Sequence, residues 1–279
     1  KPETKSRKRK SPSVPVLETG GDGLVVNGYF DLAVARQAEE LGDAIKLNSV
    51  VTEIEVNENG ENNDPRCVVR YRQNLDTVFG TTTSTAEPCS MPCDFVIVAL
   101  PLGVLQGRAD ASKVQFTPEL PDEKKRAIAC IGMGTENKVV MRFEETFWPV
   151  DRRFLQCTDQ RFRFLNCGPY GKPNTLIAHV APPYGEGFLV SDGSDMQHGE
   201  RQILTETLQT LKKMFDTDAL PNLVDYRVTD WGSDPFSCGA YSYARIGSDV
   251  RDIFELSKPE HGGLIRFAGE ACSTEGAQC

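Results

Sequence analysis

The chain has 279 residues, with 31 Lys and Arg against 40 Asp and Glu, a formal net charge of -9. Its 39% apolar and 25% charged residues suit a folded globular protein and exclude wholesale disorder. The longest apolar run, Phe95–Leu102, falls far short of the ~20 residues that a membrane span needs, so no membrane partner is expected.

Charge is unevenly placed. Six of the first ten residues, KPETKSRKRK, are basic, which leaves 25 basic against 39 acidic residues in the remaining 269. An acidic body of that kind disfavours direct nucleic-acid binding and favours cationic partners or substrates.

Residues 1–23 lack periodicity and read as a flexible lead-in. Leu24-Val-Val is a short strand candidate, and Asn27-Gly28 turns the chain into a helix from about Phe30 to Leu41 with Leu32, Ala35, Ala38 and Leu41 on one face. Ile45–Val56 alternates as a strand, and Asn57–Pro65 is a turn cluster. Cys67–Arg72 and Thr77–Thr82 read as arms of an antiparallel meander. Asp94–Leu100 is apolar at almost every position, the pattern of a strand covered on both faces. After Pro121 a helix begins with acids in its first turn, as the helix dipole favours. Strands follow at Asn137–Phe143, Phe154–Cys157, Phe162–Cys167 and Thr175–Val180. Gly199–Phe215 is the strongest helix, its stripe of Ile203, Leu204, Leu208, Leu211 and Phe215 suited to packing on a sheet. Leu223–Thr229 and Leu264–Ala268 are the last strands. The interleaved order predicts an α/β to α+β fold, a large mixed sheet with flanking helices.

Nine cysteines, an odd number without regular spacing, accompany no signal peptide or glycosylation sequon, which points to reduced thiols in an intracellular protein. The three histidines lie far apart and no metal-ligand spacing occurs, so no metal is expected. The basic run Lys5–Lys10 reads either as a nuclear-localisation cluster or as a solvated charged tail.

Few residues stand out for chemistry. There is no G-x-S-x-G and no P-loop; Gly132-Met-Gly134 lacks the third glycine of a dinucleotide fingerprint. Lys138 opens an apolar strand, where a lysine has either a partner or task, or an edge position from which it reaches water. Residues 231–243, WGSDPFSCGAYSY, carry four aromatics and two glycines; they form either a wall for a flat ligand or a substituted ammonium group, or a turn packed on the core. Leu264–Glu270 is a strand ending in Gly269-Glu270, where a cofactor could approach the backbone and the acid could accept hydroxyl hydrogen bonds. The alternative there is a plain strand-to-turn exit.

These segments, in this order, resemble the flavin-dependent amine oxidase family, and within it the lysine-specific histone demethylase group. The resemblance runs from about Leu24 to Glu270 through VVNGYFDLAVARQAEEL, AIKLNSVVTEIEV, CDFVIVALPLGVL, VQFTPELP, IGMGTENKVVMRFEETFW, DWGSDPFSCGAYSY and FAGE. VQFTPELP and AIKLNSVV tilt it toward the demethylases over the polyamine oxidases.

The resemblance implies FAD as cofactor and, position by position, several roles. Lys138 matches the lysine holding a water near flavin N5, and Val51 a residue whose backbone contacts the adenine part. Leu100-Pro101-Leu102 matches the loop lining the flavin cavity, and Gly269-Glu270 the glycine and acid at the flavin. Trp148 and Trp231 match aromatics flanking the isoalloxazine, while Phe236 and Tyr241 match aromatic walls around the substrate amine. Phe236 departs from the demethylase pattern, which has Trp there. The implied activity is oxidation of a substituted amine to aldehyde and hydrogen peroxide, as histone-lysine demethylation in the nucleus with chromatin corepressors as partners. Polyamine oxidation is one alternative; a non-catalytic chromatin-associated binding protein is the other.

The family's G-x-G-x-x-G unit has no match here, and of its closing flavin segment Ala271–Cys279 matches only the beginning. The expectation is therefore a segment of a longer protein: a substrate-binding region over about 95–230 and FAD-domain parts over about 24–94 and 231–279. Alone it is expected to hold FAD weakly and not to turn over.

Overall fold

The computed structural model describes residues 17–19, 22–24, 34–57, 66–73, 88–185 and 196–273. The basic run Lys5–Lys10, the start of the expected first helix, most of the Asn57–Pro65 turn cluster, the expected strand Thr77–Thr82 and residues 274–279 lie outside them.

Strands β1 (Leu17–Thr19) and β2 (Asp22–Leu24) pair antiparallel, with Leu17 opposite Leu24. The lead-in expected to be flexible thus contains strand pairing. Helix α1 (Arg36–Leu41) buries none of its residues, so the expected apolar stripe is uncovered among the described residues. Strands β3 (Ser49–Val56), β4 (Cys67–Gln73) and β5 (Pro88–Cys93) form an antiparallel meander. Two prolines hide β5 in the sequence, yet it is an edge strand, where a missing N–H costs little.

Strand β6 (Val96–Val98) leads into α2 (Leu102–Leu105), and β7 (Gln115–Thr117) adds to β3 in parallel. Here the structure corrects the sequence. Asp94–Leu100 was expected to be covered on both faces, but Phe95 and Ile97 are each 58% exposed and only the Val98 side is buried. Helix α3 (Asp122–Cys130) starts directly after Pro121, with Asp122 and Glu123 in its first turn.

Strand β8 (Gly132–Gly134) precedes the largest sheet, built from β9 (Asn137–Phe143), β10 (Phe154–Gln156), β11 (Phe162–Asn166), β12 (Thr175–Val180) and, after helix α4 (Met196–Met214), β13 (Leu223–Val228). The sheet is antiparallel throughout in the order β10-β11-β12-β9-β13. Along β9 the odd-numbered residues Asn137, Val139, Met141 and Phe143 are buried on one face, where Ile203, Leu204 and Leu211 of α4 join their core. Leu208 and Phe215 pack against the same cluster, so the α4 stripe does what its spacing predicts. Lys138 and its even-numbered neighbours occupy the opposite face.

The chain closes with β14 (Tyr241–Tyr243) on β8, helix α5 (Val250–Ser257), and β15 (Ile265–Phe267), which pairs parallel with β6. A second core joins Ile54, Val98, Leu102, Ile128, Leu256, Ile265 and Phe267. The result is the expected mixed α/β structure with flanking helices, but its described strands fall into five sheets rather than one large one.

Candidate functional site

Lys138 sits on β9 between β12 and β13, so it is not an edge lysine. Its face is turned away from α4, toward a cavity of about 620 Å³ lined by Glu136, Lys138, Trp231 and residues 240–243 of β14 and the residue before it. The cavity wall is built from three elements. The β8–β9 bend brings Glu136 and Lys138. The loop after β13 brings Trp231, whose backbone N–H donates to the Asn137 side-chain oxygen at 3.0 Å. Strand β14 brings Tyr241 and Tyr243, held by pairing Tyr241 with Gly134 and Tyr243 with Gly132.

Glu136 is the centre of the polar contacts. Lys138 Nζ lies 3.7 Å from its Oε1, His179 Nδ1 lies 2.8 Å from the same oxygen, and the Tyr241 hydroxyl donates to Oε2 at 3.3 Å. Burial pushes the Glu136 carboxyl up, but the His179 hydrogen bond, the Lys138 charge and the Tyr241 hydroxyl together hold it below its ordinary value. A carboxylate in that state only accepts, so Nδ1 of His179 carries the proton.

Gly269-Glu270 and Leu100-Pro101 follow the ends of β15 and β6, two adjacent parallel strands. Carboxyl ends of parallel strands are where α/β sheets take their ligands. Gly269 has φ 109° and ψ -179°, a conformation that L side chains rarely adopt, and a methyl group there would meet nothing nearer than the Ala99 carbonyl oxygen at 4.0 Å. Glu270 reaches back to the cavity wall: its carboxylate accepts the backbone N–H of Ser242 at 3.1 Å and the Ser242 hydroxyl at 2.7 Å. That leaves other lone pairs of an exposed carboxylate for ligand hydroxyls.

The structure therefore brings together Lys138, Trp231, Tyr241, Gly269 and Glu270, with Leu100 and Pro101 on the neighbouring strand end. Other expected positions are not brought to this group. Trp148 is 4% exposed in the α4-side core, edge-on to Phe143 and Phe147 with ring centroids 5.8 and 4.8 Å away. It packs on the sheet face opposite to Lys138, because five residues on from Phe143 the chain has turned back over that core. Val51 lies in β3, packed against the second core cluster. Phe236 is 51% exposed and does not line the cavity. Sequence reading missed Glu136, His179 and Asn137. A strand-pattern register of His179 opposite Lys138 would have pointed to the second of these.

A larger cleft, about 1030 Å³, lies between α2, β7 and α3, lined among others by Gln106, Arg108, Phe116 and Lys125. It contains none of the residues just described.

The residues present fit the ring and ribityl end of a flavin: an open cavity with an ammonium group, aromatic walls, bare backbone at Gly269 and an exposed carboxylate at Glu270. A glycine-rich turn for a pyrophosphate is not found among the described residues.

Comparison with known proteins agrees. The family model for flavin containing amine oxidoreductases matches residues 13–279. Lysine-specific histone demethylase 1 homolog 3 of Arabidopsis thaliana is 31% identical over 264 residues, which are 92% of this chain and 15% of that protein. Polyamine oxidase 4 of Oryza sativa subsp. japonica is 32% identical over 264 residues, 92% of this chain and 46% of its own length. The chain thus spans less than half of either relative. Among solved structures, a putrescine oxidase redesigned in its cofactor binding superposes with a TM-score of 0.62 at 21% identity, covering 88% of this chain and 47% of that one. Cyclohexylamine oxidase from Brevibacterium oxydans gives 0.60 at 20% identity over 86% of this chain and 46% of its own. These two likenesses concern the fold.

Proposed function

The chain belongs to the flavin containing amine oxidoreductase family, whose cofactor is FAD, and on that premise we propose that it serves the FAD-dependent oxidation of a substituted amine. The observation that carries this reading is the convergence of Lys138, Trp231 and Tyr241 on one cavity beside the strand ends that present Gly269-Glu270. When bound, FAD would supply the two-electron redox chemistry by which a neutral amine and dioxygen become an iminium, opened by water to aldehyde and amine, and hydrogen peroxide.

The chain's own residues supply place and charge. Lys138 holds water by its ammonium donors at the cavity floor, where dioxygen chemistry needs a proton source. Trp231 and Tyr241 flank the amine with aromatic faces that favour substituted ammonium groups as they arrive. Glu270 accepts hydroxyl hydrogen bonds from the cofactor side, steadied by Ser242. The acidic body draws in a polycation over long range.

The finer reading is an N-methylated lysine in a histone tail. It is supported by the demethylase-like segments VQFTPELP and AIKLNSVV and by the 31% identical demethylase homologue. Such a substrate requires the nucleus, for which the run Lys5–Lys10 is a candidate address. Polyamine oxidation is the second reading, supported by the 32% identity to the rice polyamine oxidase over a larger share of its length. An anaerobic visible spectrum of the FAD-loaded protein tests both. Bleaching on addition of methylated histone peptide favours the first, bleaching with spermine alone the second, and a spectrum unchanged by either overturns the assignment of amine oxidation.

A further inference from the structure

We propose that Glu136, clamped by His179, is the positioning residue of this site, holding the Lys138 ammonium and the Tyr241 ring in fixed places with a single carboxylate. The inference rests on the reading of Lys138 as the lysine beside the cofactor.

Glu136 stands in the bend just ahead of β9, two residues before Lys138 in Thr135-Glu136-Asn137-Lys138, and both side chains line the same cavity. His179 is the register partner of Lys138 on β12, so the clamp and the lysine stand on neighbouring strands of one ladder. The two carboxylate oxygens divide the work. Oε1 receives the His179 Nδ1–H at 2.8 Å and faces Lys138 Nζ at 3.7 Å, while Oε2 receives the Tyr241 hydroxyl at 3.3 Å. With both oxygens engaged from opposite sides, the carboxylate has one orientation.

Lys138 needs such a partner. A lysine is a point charge on a flexible four-carbon stem, with three rotatable donors and little geometry of its own. Its ion pair with Glu136 is the one it makes among the described residues. Remove the carboxylate, and the ammonium is free to move over the cavity floor. The Tyr241 ring, part of the wall on the other side, loses the same anchor. Precision of this kind, from a residue held by rigid strands, is what a reacting group requires.

Nε2 of His179 is buried without a hydrogen-bond partner among the described residues. The ring is thus held through Nδ1, and its bond to Glu136 is what orients it.

The test uses two readouts, one of which needs no turnover. In the proton spectrum of the cofactor-free protein, the Nδ1 proton of His179, identified by its loss in His179→Ala, is shifted downfield by its bond to a carboxylate. In Glu136→Gln it moves upfield. In the FAD-loaded protein, rapid mixing separates reduction by amine from reaction of the reduced protein with dioxygen. Glu136→Gln is expected to slow the dioxygen step about tenfold, the size of a misplaced reacting group, with a smaller rise in KM for the amine as the Tyr241 wall loosens. Glu136→Asp, which keeps the charge on a shorter stem, recovers part of the loss. A Glu136→Gln protein that reacts with dioxygen like the unsubstituted one, while Lys138→Met is slow, overturns the positioning role and leaves the proposed function standing. If Lys138→Met is also without effect, the proposed use of Lys138 itself falls.

Discussion

The side-chain oxygen of Asn137 accepts the backbone N–H of Trp231 at 3.0 Å and the Thr229 hydroxyl at 3.1 Å, and Thr229 in turn accepts the backbone N–H of Lys138 at 2.8 Å. The Asn137 amide donates to the Gly185 carbonyl at 3.0 Å. A fully buried residue on the core face of β9 thereby places the aromatic wall on the site face.

Replacing Asn137 with Ala leaves a backbone N–H, a hydroxyl and a carbonyl without their partner, so the expected cost is about 3 kcal/mol. Urea unfolding at constant m checks this. The loop carrying Trp231 loosens as well, so substrate oxidation falls further than the lost stability explains. An Asn137→Ala protein within about 0.5 kcal/mol of the original contradicts the account.

Glu136 predicts a pH dependence. Its folded value lies below the ordinary 4.5, so the contribution of its bonds to His179, Lys138 and Tyr241 is complete above the value in the unfolded chain. It is lost as pH falls through the lower, folded value. The thermal midpoint of the unsubstituted protein should therefore drop more steeply than that of Glu136→Gln between about pH 5 and about pH 3. Parallel curves for the two proteins would remove Glu136 from the acid response.

What the sequence revealed follows from where the physics is local. The α4 stripe and the alternation along β9 and β12 were legible because each element meets its sheet with a fixed period. β5 was not, since Pro88 and Pro92 argue against a strand until its edge position is known. Helix α5 was missed although Asp249 and Asp252 form a capping box, with two aspartates in place of the usual Ser or Thr and Glu. In the site, Lys138 and the aromatic run were visible in the chain. Glu136 looked like one more acid in an acidic protein until His179, 43 residues on, was seen bonded to it. Trp148 shows the reverse: an aromatic in the expected place along the chain whose side chain lies on the wrong face of the sheet.

Lys124 makes a third prediction. Its side chain is wholly buried, and its ammonium donates to the carbonyls of Glu255, Leu256 and Lys258 at the carboxyl end of α5, the last two at 2.9 and 2.7 Å. It also pairs with Glu260 at 3.2 Å and lies 4.4 Å from the centroid of Phe267 in β15. One lysine thus joins α3 to α5 and to the strand that delivers Gly269-Glu270. Burial pulls its pKa below the usual lysine range against the opposing pull of Glu260. Lys124→Met keeps the packing but strands a carboxylate and three helix-end carbonyls, at an expected cost of about 3–5 kcal/mol. The double variant with Glu260→Gln should recover part of it, because the stranded charge is gone. Equal midpoints for the single variant and the original protein would refute this lock.

Gly103, the second residue of α2 after Pro101, tests how the flavin-side segment meets the aromatic loop. A Cβ at this position would sit in contact with the Cys238 carbonyl oxygen and 2.6 Å from Cys238 Cβ. Both are atoms of a buried segment rather than the end of a flexible side chain, so the clash is relieved only by moving α2 and the 231–240 loop apart. Cys238 is held there by its own N–H to the Asp234 carbonyl at 2.8 Å, and Gly239 by its N–H to the Trp231 carbonyl at 2.8 Å. Gly103→Ala should therefore cost about 1–3 kcal/mol, as overpacking does, and displace Trp231 from the cavity wall. The intrinsic fluorescence comes from two tryptophans, of which Trp148 is buried in the other core and serves as an internal reference. Acrylamide quenching of Trp231 should rise in Gly103→Ala while the buried component stays unchanged. A stable variant with the original quenching profile would show that the two loops do not depend on this contact.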